Sequence, residues 1–139
     1  MFRQGNKKGN KTELEIRKVI VLALGRIGAN EDVVVPLLMA TLKDRNHPEL
    51  ASYAATGLSA MGPKAKASVP ALIDALDVSE IKDATAARNI QGAALHALGE
   101  IGPAARVALP AIRKIAMDSR IDLTVRLDAE QILKKWTMD

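Results

Sequence analysis

The 139-residue sequence contains no cysteine and almost no aromatic residue. Without cysteine, the chain has no disulfide framework, no thiolate metal ligand and no cysteine nucleophile. Phe, Tyr and Trp occur once each although 48% of the residues are hydrophobic, so the core has to be built from Ala, Leu, Ile and Val. Because Ala has the highest helix propensity and small side chains let helices approach closely, this composition favours an all-α fold.

Long apolar runs are also missing. A membrane-spanning helix needs about 20 apolar residues, whereas the longest run here is the segment from Val19 to Leu24. The basic residues near the N-terminus are not followed by the apolar segment of a signal peptide. We therefore expect a protein of the cytoplasm or of another soluble compartment, with no membrane span.

The positive charge is concentrated at the start of the chain. The net charge is +4, and residues 1–11 hold four of the 20 basic residues and none of the 16 acidic ones. Subtracting, 20 − 4 leaves 16 basic against 16 acidic residues in 12–139, so the body of the protein is neutral. Gly5, Asn6, Gly9 and Asn10 disfavour a helix, and the sequence predicts a flexible basic tail over 1–11. Such a tail either keeps the protein soluble or contributes to nucleic-acid binding.

The rest of the chain, 12–139, contains an internal repeat. A Leu-x-x-x-Gly segment occurs three times, and each final glycine is followed eight residues later by a proline. The glycines are Gly28, Gly62 and Gly102, and the prolines are Pro36, Pro70 and Pro110. Apolar residues spaced by four and eight within each copy predict helices. Glycine is typical of the position after a helix, and proline of the first helical turn.

These signals predict three helix pairs followed by an unpaired last helix. The predicted helices are 12–27, 31–44, 49–61, 65–77, 84–101, 104–118 and 123–137. The predicted repeats are about 12–46, 47–82 and 83–120, with a partial copy over 121–139. Leu24, Leu58 and Leu98 occupy equivalent positions and are predicted to be buried.

The best-matched copy carries a family resemblance. Its sequence reads AALHALGEIGP over 93–103 and LPAI over 109–112, and the partial copy opens with VRLDA over 125–129. These segments resemble the HEAT-repeat family, in particular the PBS-lyase HEAT-like repeats, and the resemblance extends over 14–136. It implies an α-solenoid of about three and a half helix pairs, whose second helices line a concave binding face. Because the matching positions are packing positions, it implies a fold more strongly than a function.

The residues that could perform catalysis do not form a catalytic pattern. His47 and His96 are the only histidines, and neither has the spacing of a metal site. Glu31 and Asp32 fall in the first turn of a predicted helix, where acidic residues complement the helix dipole. Asp74 and Asp77 share a helix face without an evident acid or base partner. We therefore expect a protein that is not an enzyme and that uses no metal and no cofactor.

Three features favour binding. Basic residues at the starts of successive second helices predict a basic edge beside the acidic Glu31 and Asp32, which serves either an acidic partner or only as a mixed-charge surface. Six extra residues between Asp77 and Ile90 are either a functional insertion or a neutral elongation. Trp136 is either a cap over the third repeat or an anchor for a partner. The candidate partner-binding residues are Lys64, Lys66, Arg106, Arg113, Lys114 and Trp136.

The function predicted from these features is a protein-binding scaffold or an assembly subunit of a larger complex. It would use the concave face and an open C-terminal end, where the fourth copy lacks its second helix. The alternative is nucleic-acid binding through the basic edge and the basic tail. A remote alternative, from the family's name, is a role accessory to a tetrapyrrole lyase, although a chromophore pocket would need more aromatic residues.

Overall fold

The computed structural model describes residues 7–27, 30–44 and 46–137, and within these ranges all regular secondary structure is helical. Two 3₁₀ segments, Gly62–Ser68 and Gly102–Ala108, lead directly into α4 and α6. The seven α-helices are α1 Lys7–Ile27, α2 Glu31–Lys43, α3 Pro48–Met61, α4 Val69–Ala75, α5 Ala84–Ile101, α6 Leu109–Met117 and α7 Leu123–Thr137. The prediction of an all-α fold is thus confirmed.

The helices lie in two layers. In one layer, α1 contacts α3, α3 contacts α5 and α5 contacts α7. In the other layer, α2 contacts α4 and the first 3₁₀ segment, which in turn contacts the second. A single hydrophobic core runs between the layers. Its largest fully buried side chains include Leu38, Leu50, Leu58, Leu72, Leu95, Leu98, Ile101 and Ile112.

Two of the three second helices, α4 and α6, begin differently from the prediction. Gly62 and Gly102 adopt φ values of 59° and 85°, which glycine tolerates and which end α3 and α5. The proline that follows each glycine has no N–H, and the chain continues as a 3₁₀ segment before α4 and α6 form. In the first pair, α2 begins at Glu31 after Asn30 as predicted, and Pro36 lies in its second turn.

The extra residues before Ile90 have two structural outcomes. Part of them lengthens α5, which begins at Ala84 and has 18 residues against 14 in α3. Asp83 caps this extension by accepting hydrogen bonds from the backbone N–H groups of Thr85 and Ala86. The remainder widens the loop after α4, and the buried Gln91 side chain donates a 3.1 Å hydrogen bond to the Leu76 carbonyl. The insertion is therefore built into the fold.

The first helix departs from the prediction at its start. It begins at Lys7, so residues 7–11 of the predicted tail are helical, while residues 1–6 lie outside the described residues. Leu58 and Leu98 are fully buried as predicted, but Leu24 is only half-buried. Leu24 is less buried because no helix precedes α1 in the described chain, whereas α3 and α5 have neighbours on both sides.

Candidate interaction surface

The five basic candidates lie on three elements and are all exposed. Lys64 and Lys66 lie on the first 3₁₀ segment, and Arg106 lies on the second. Arg113 and Lys114 follow on α6. We call these five residues the basic edge.

Local geometry explains why these side chains face outward. In the first 3₁₀ segment Ala65 and Ser68 are buried, and the Ser68 hydroxyl donates a 2.6 Å hydrogen bond to the Ala65 carbonyl. Ala105 and Ala108 are buried at the matching positions of the second segment. A 3₁₀ segment has about three residues per turn, so anchoring every third residue leaves those between at the surface. Lys66 and Arg106 are such residues.

The basic edge continues into acidic surface on the neighbouring helix. Asp32, Lys66 and Arg106 occupy equivalent positions in the three pairs, counting 34 and then 40 residues along the sequence. Their elements contact one another in that order. The structure therefore brings the sequence-predicted charges onto adjacent elements, with acidic residues at one end and basic residues at the other.

Trp136 is not part of this exposed set. Its side chain is buried, with 6% exposure, and belongs to the hydrophobic core. Ile132 on the same helix lies 3.6 Å from the position that a Cβ would take on Gly99 of α5. Ile132 thus packs against α5, and the buried indole of Trp136, as expected of a cap, presents little surface to a partner.

The carboxylates of the second layer line an open cleft of about 350 Å³ beside the loop after α4. Asp44 lies 2.9 Å from Nδ1 of His47, and its pKa is lowered mainly by that hydrogen bond and next by the backbone N–H of Asn46. Asp77 accepts a hydrogen bond from the backbone N–H of Ser79. These acids therefore support turns at the ends of helices. Among the described residues, no group of three or more potential ligands is placed to hold a metal ion.

A feature that the sequence reading missed lies at the opposite end of the molecule from Trp136. Ile16, Val19, Ile20 and Ile27 of α1 are 54%, 66%, 50% and 70% exposed. The equivalents of Ile16, Ile20 and Ile27 in the later copies are buried, while those of Val19 are half-buried. Only the packing order shows that nothing in the described chain covers them in the first copy.

The chain was compared with known proteins by family model, by sequence and by structure. It matches no protein-family model, no curated protein and no solved structure. None of the helices in the described part of the chain is long and apolar enough to cross a membrane.

Proposed function

We propose that the helix pairs form a short HEAT-like α-solenoid that acts as a non-catalytic protein-binding module. The observation that carries this proposal is the basic edge, in which exposed Lys66 and Arg106 occupy equivalent positions on 3₁₀ segments that contact each other. These charges are exposed on segments whose neighbouring residues are buried in the core. Such charges are suited to selecting a partner by electrostatic complementarity, which acts mostly on specificity and association rate. The partner surface that fits the edge is acidic.

The repeated packing supports the solenoid part of the proposal. Each first helix contacts the first helix of the next pair, and the second-layer elements contact in the same order. Stacked repeats of this kind form extended surfaces to which each repeat adds equivalent side chains. The basic edge is one such surface.

Reversal of charge tests the proposal directly. We expect the Lys66→Glu/Arg106→Glu variant to lose the acidic proteins that the unmodified chain retains in affinity capture, while its stability changes by about 0.5 kcal/mol or less. Lys43→Glu/Lys82→Glu is the matched control, because both lysines are exposed outside the edge and the charge change is the same. Equal retention of the same proteins by all three baits would refute the proposal.

Nucleic-acid binding is the second candidate, and the same basic edge supports it. A labelled oligonucleotide titrated at several salt concentrations separates the two functions. Phosphate binding releases counterions, so log K would fall linearly with log salt with a slope of about −0.7 to −0.9 per phosphate contacted. Tight oligonucleotide binding with such a slope, lost in Lys66→Glu/Arg106→Glu, would favour nucleic acid over an acidic protein.

A further inference from the structure

The two ends of the helix stack differ in how far their apolar side chains are exposed. Three repeat-equivalent positions of the first helices differ in exposure between α1 and the helices that follow it. In α3, α5 and α7 the side chains at these positions are all at most 6% exposed. They are Leu50, Ala54, Met61, Ile90, Ala94, Ile101, Val125, Ala129 and Trp136. In α1 the equivalent residues are Ile16, Ile20 and Ile27, which are at least half exposed.

The same contrast appears in the second layer. Leu37 of α2 is 49% exposed, whereas the equivalent Ala71 of α4 is 2% exposed. We group these residues with Val19 as the N-terminal apolar face: Ile16, Val19, Ile20, Ile27 and Leu37. At these exposures the five side chains offer on the order of 500 Å², near the upper limit of the largest apolar patch on a typical monomer.

The other end of the stack is closed by charged residues. The positions of α3 and α5 that face the following pair hold small or buried residues such as Ala55 and Leu95. The equivalent positions of α7 hold Arg126, Glu130 and Lys134, and the last two are exposed. Stacking this end onto the N-terminal apolar face would bury unpaired charges against aliphatic side chains, which is costly. A head-to-tail chain of copies is thus disfavoured.

From these observations we propose that the N-terminal apolar face is the interface of a symmetric dimer, in which two copies of this chain pack α1 against α1. An interface of this kind uses one surface twice and closes on itself. Two such faces bury on the order of 1,000 Å² of apolar area, which reaches the size expected of a specific interface at its lower end.

The dimer is tested by the mass of the full chain in solution. We expect sedimentation equilibrium between about 1 and about 500 µM, a range that covers weak specific interfaces, to show twice the chain mass of 14.9 kDa. Ile20→Glu and, separately, Val19→Glu should weaken the dimer at least about 100-fold without loss of helix by circular dichroism. Val107→Glu is the control, because Val107 is 70% exposed outside this face.

Monomeric chain throughout the concentration range, or a dimer that survives both Ile20→Glu and Val19→Glu, would overturn the proposal. Neither Ile20→Glu nor Val19→Glu changes the basic edge or a residue beside it, so the dimer and the proposed function fail independently.

Discussion

At the scale of single residues, the closest approach of two helices depends on Gly25 and Gly57. A Cβ atom added to Gly25 of α1 would overlap the backbone of Gly57 of α3. Backbone cannot move aside as a flexible side chain can, so α1 and α3 would have to separate. We expect Gly25→Ala to destabilise the protein by about 1–3 kcal/mol, as overpacking does. Denaturant titration measures the change.

Gly92 provides the matched control for this substitution. It also lies within a first helix, α5, but no atom lies within 4 Å of the position that its Cβ would take. Gly92→Ala should therefore stabilise the protein by about 0.5–1 kcal/mol through helix propensity and reduced freedom of the unfolded chain. Equal effects of the two substitutions would show that the approach of α1 to α3 is looser than described.

The loop before α7 contains a residue whose charge should be visible in a pH titration. The Arg120 side chain donates hydrogen bonds of 3.0 and 2.9 Å to the Asp118 carboxylate, and the Arg120 backbone N–H donates another. The side-chain hydrogen bonds from Arg120, and next the bond from its backbone N–H, lower the pKa of Asp118 to about 2. An unfolded Asp has a pKa of about 3.9. The stabilisation is thus fully present above about pH 4 and is lost as the pH falls towards 2.

Arg120→Ala checks the cause of this shift. We expect the Asp118 pKa, followed by carboxyl NMR chemical shifts, to rise towards 3.9 in the variant. In the unmodified protein, protonation of Asp118 lowers the free energy of unfolding as the pH falls from about 4 to about 2. In Arg120→Ala that contribution to the loss of stability should be absent. A pKa that stays near 2 without the guanidinium would assign the shift to the backbone N–H alone.

At the scale of elements, the sequence predicted the helices well where packing periodicity and glycine agree. The ends of α3 and α5 match because Gly62 and Gly102 adopt the positive φ that stops a helix. The start of α2 at Glu31 matches the prediction. The starts of α4 and α6 were wrong, because Pro63 and Pro103 allow a 3₁₀ path that apolar spacing does not distinguish from an α-helix. The start of α1 was also wrong, since Gly9 and Asn10 disfavour a helix yet both lie in α1.

The last helix tests whether a terminal element depends on one side chain. Trp136 is buried against the core while Lys134 and Lys135 beside it are exposed. We expect Trp136→Ala to cost about 3–5 kcal/mol, as for other buried large side chains. Lys135→Ala should stay within about 0.5 kcal/mol. Thermal unfolding of both variants measures the difference, and a loss below about 1 kcal/mol for Trp136→Ala would mean that α7 does not rely on its indole.

At the scale of the whole molecule, the sequence predicted the basic edge but gave no indication of the N-terminal apolar face. Lys66 and Arg106 were recognisable because equivalent positions of a repeat recur on neighbouring elements. The predicted open end at α7 stays a prediction, although Glu130 and Lys134 of α7 are exposed and Trp136 is buried. A position such as Ile20 reads as core in every copy of the repeat. Its exposure follows only from the order in which the helices pack.

This difference between the ends should also appear in the order of local opening. The helices α3 and α5 are covered by neighbours on both sides, whereas α1 contacts helices on one side only. In a stack whose units are held by their neighbours, local opening costs least where a neighbour is missing. We therefore expect amide hydrogen exchange, measured on dilute protein, to be slowest in α3 and α5 and faster in α1.

Raising the protein concentration should slow exchange in α1 alone, because binding to the folded state stabilises what it covers. In Ile20→Glu that concentration dependence should vanish. Exchange in α1 as slow as in α3 at high dilution would show that α1 needs no cover, and would remove the physical reason for a partner at this end.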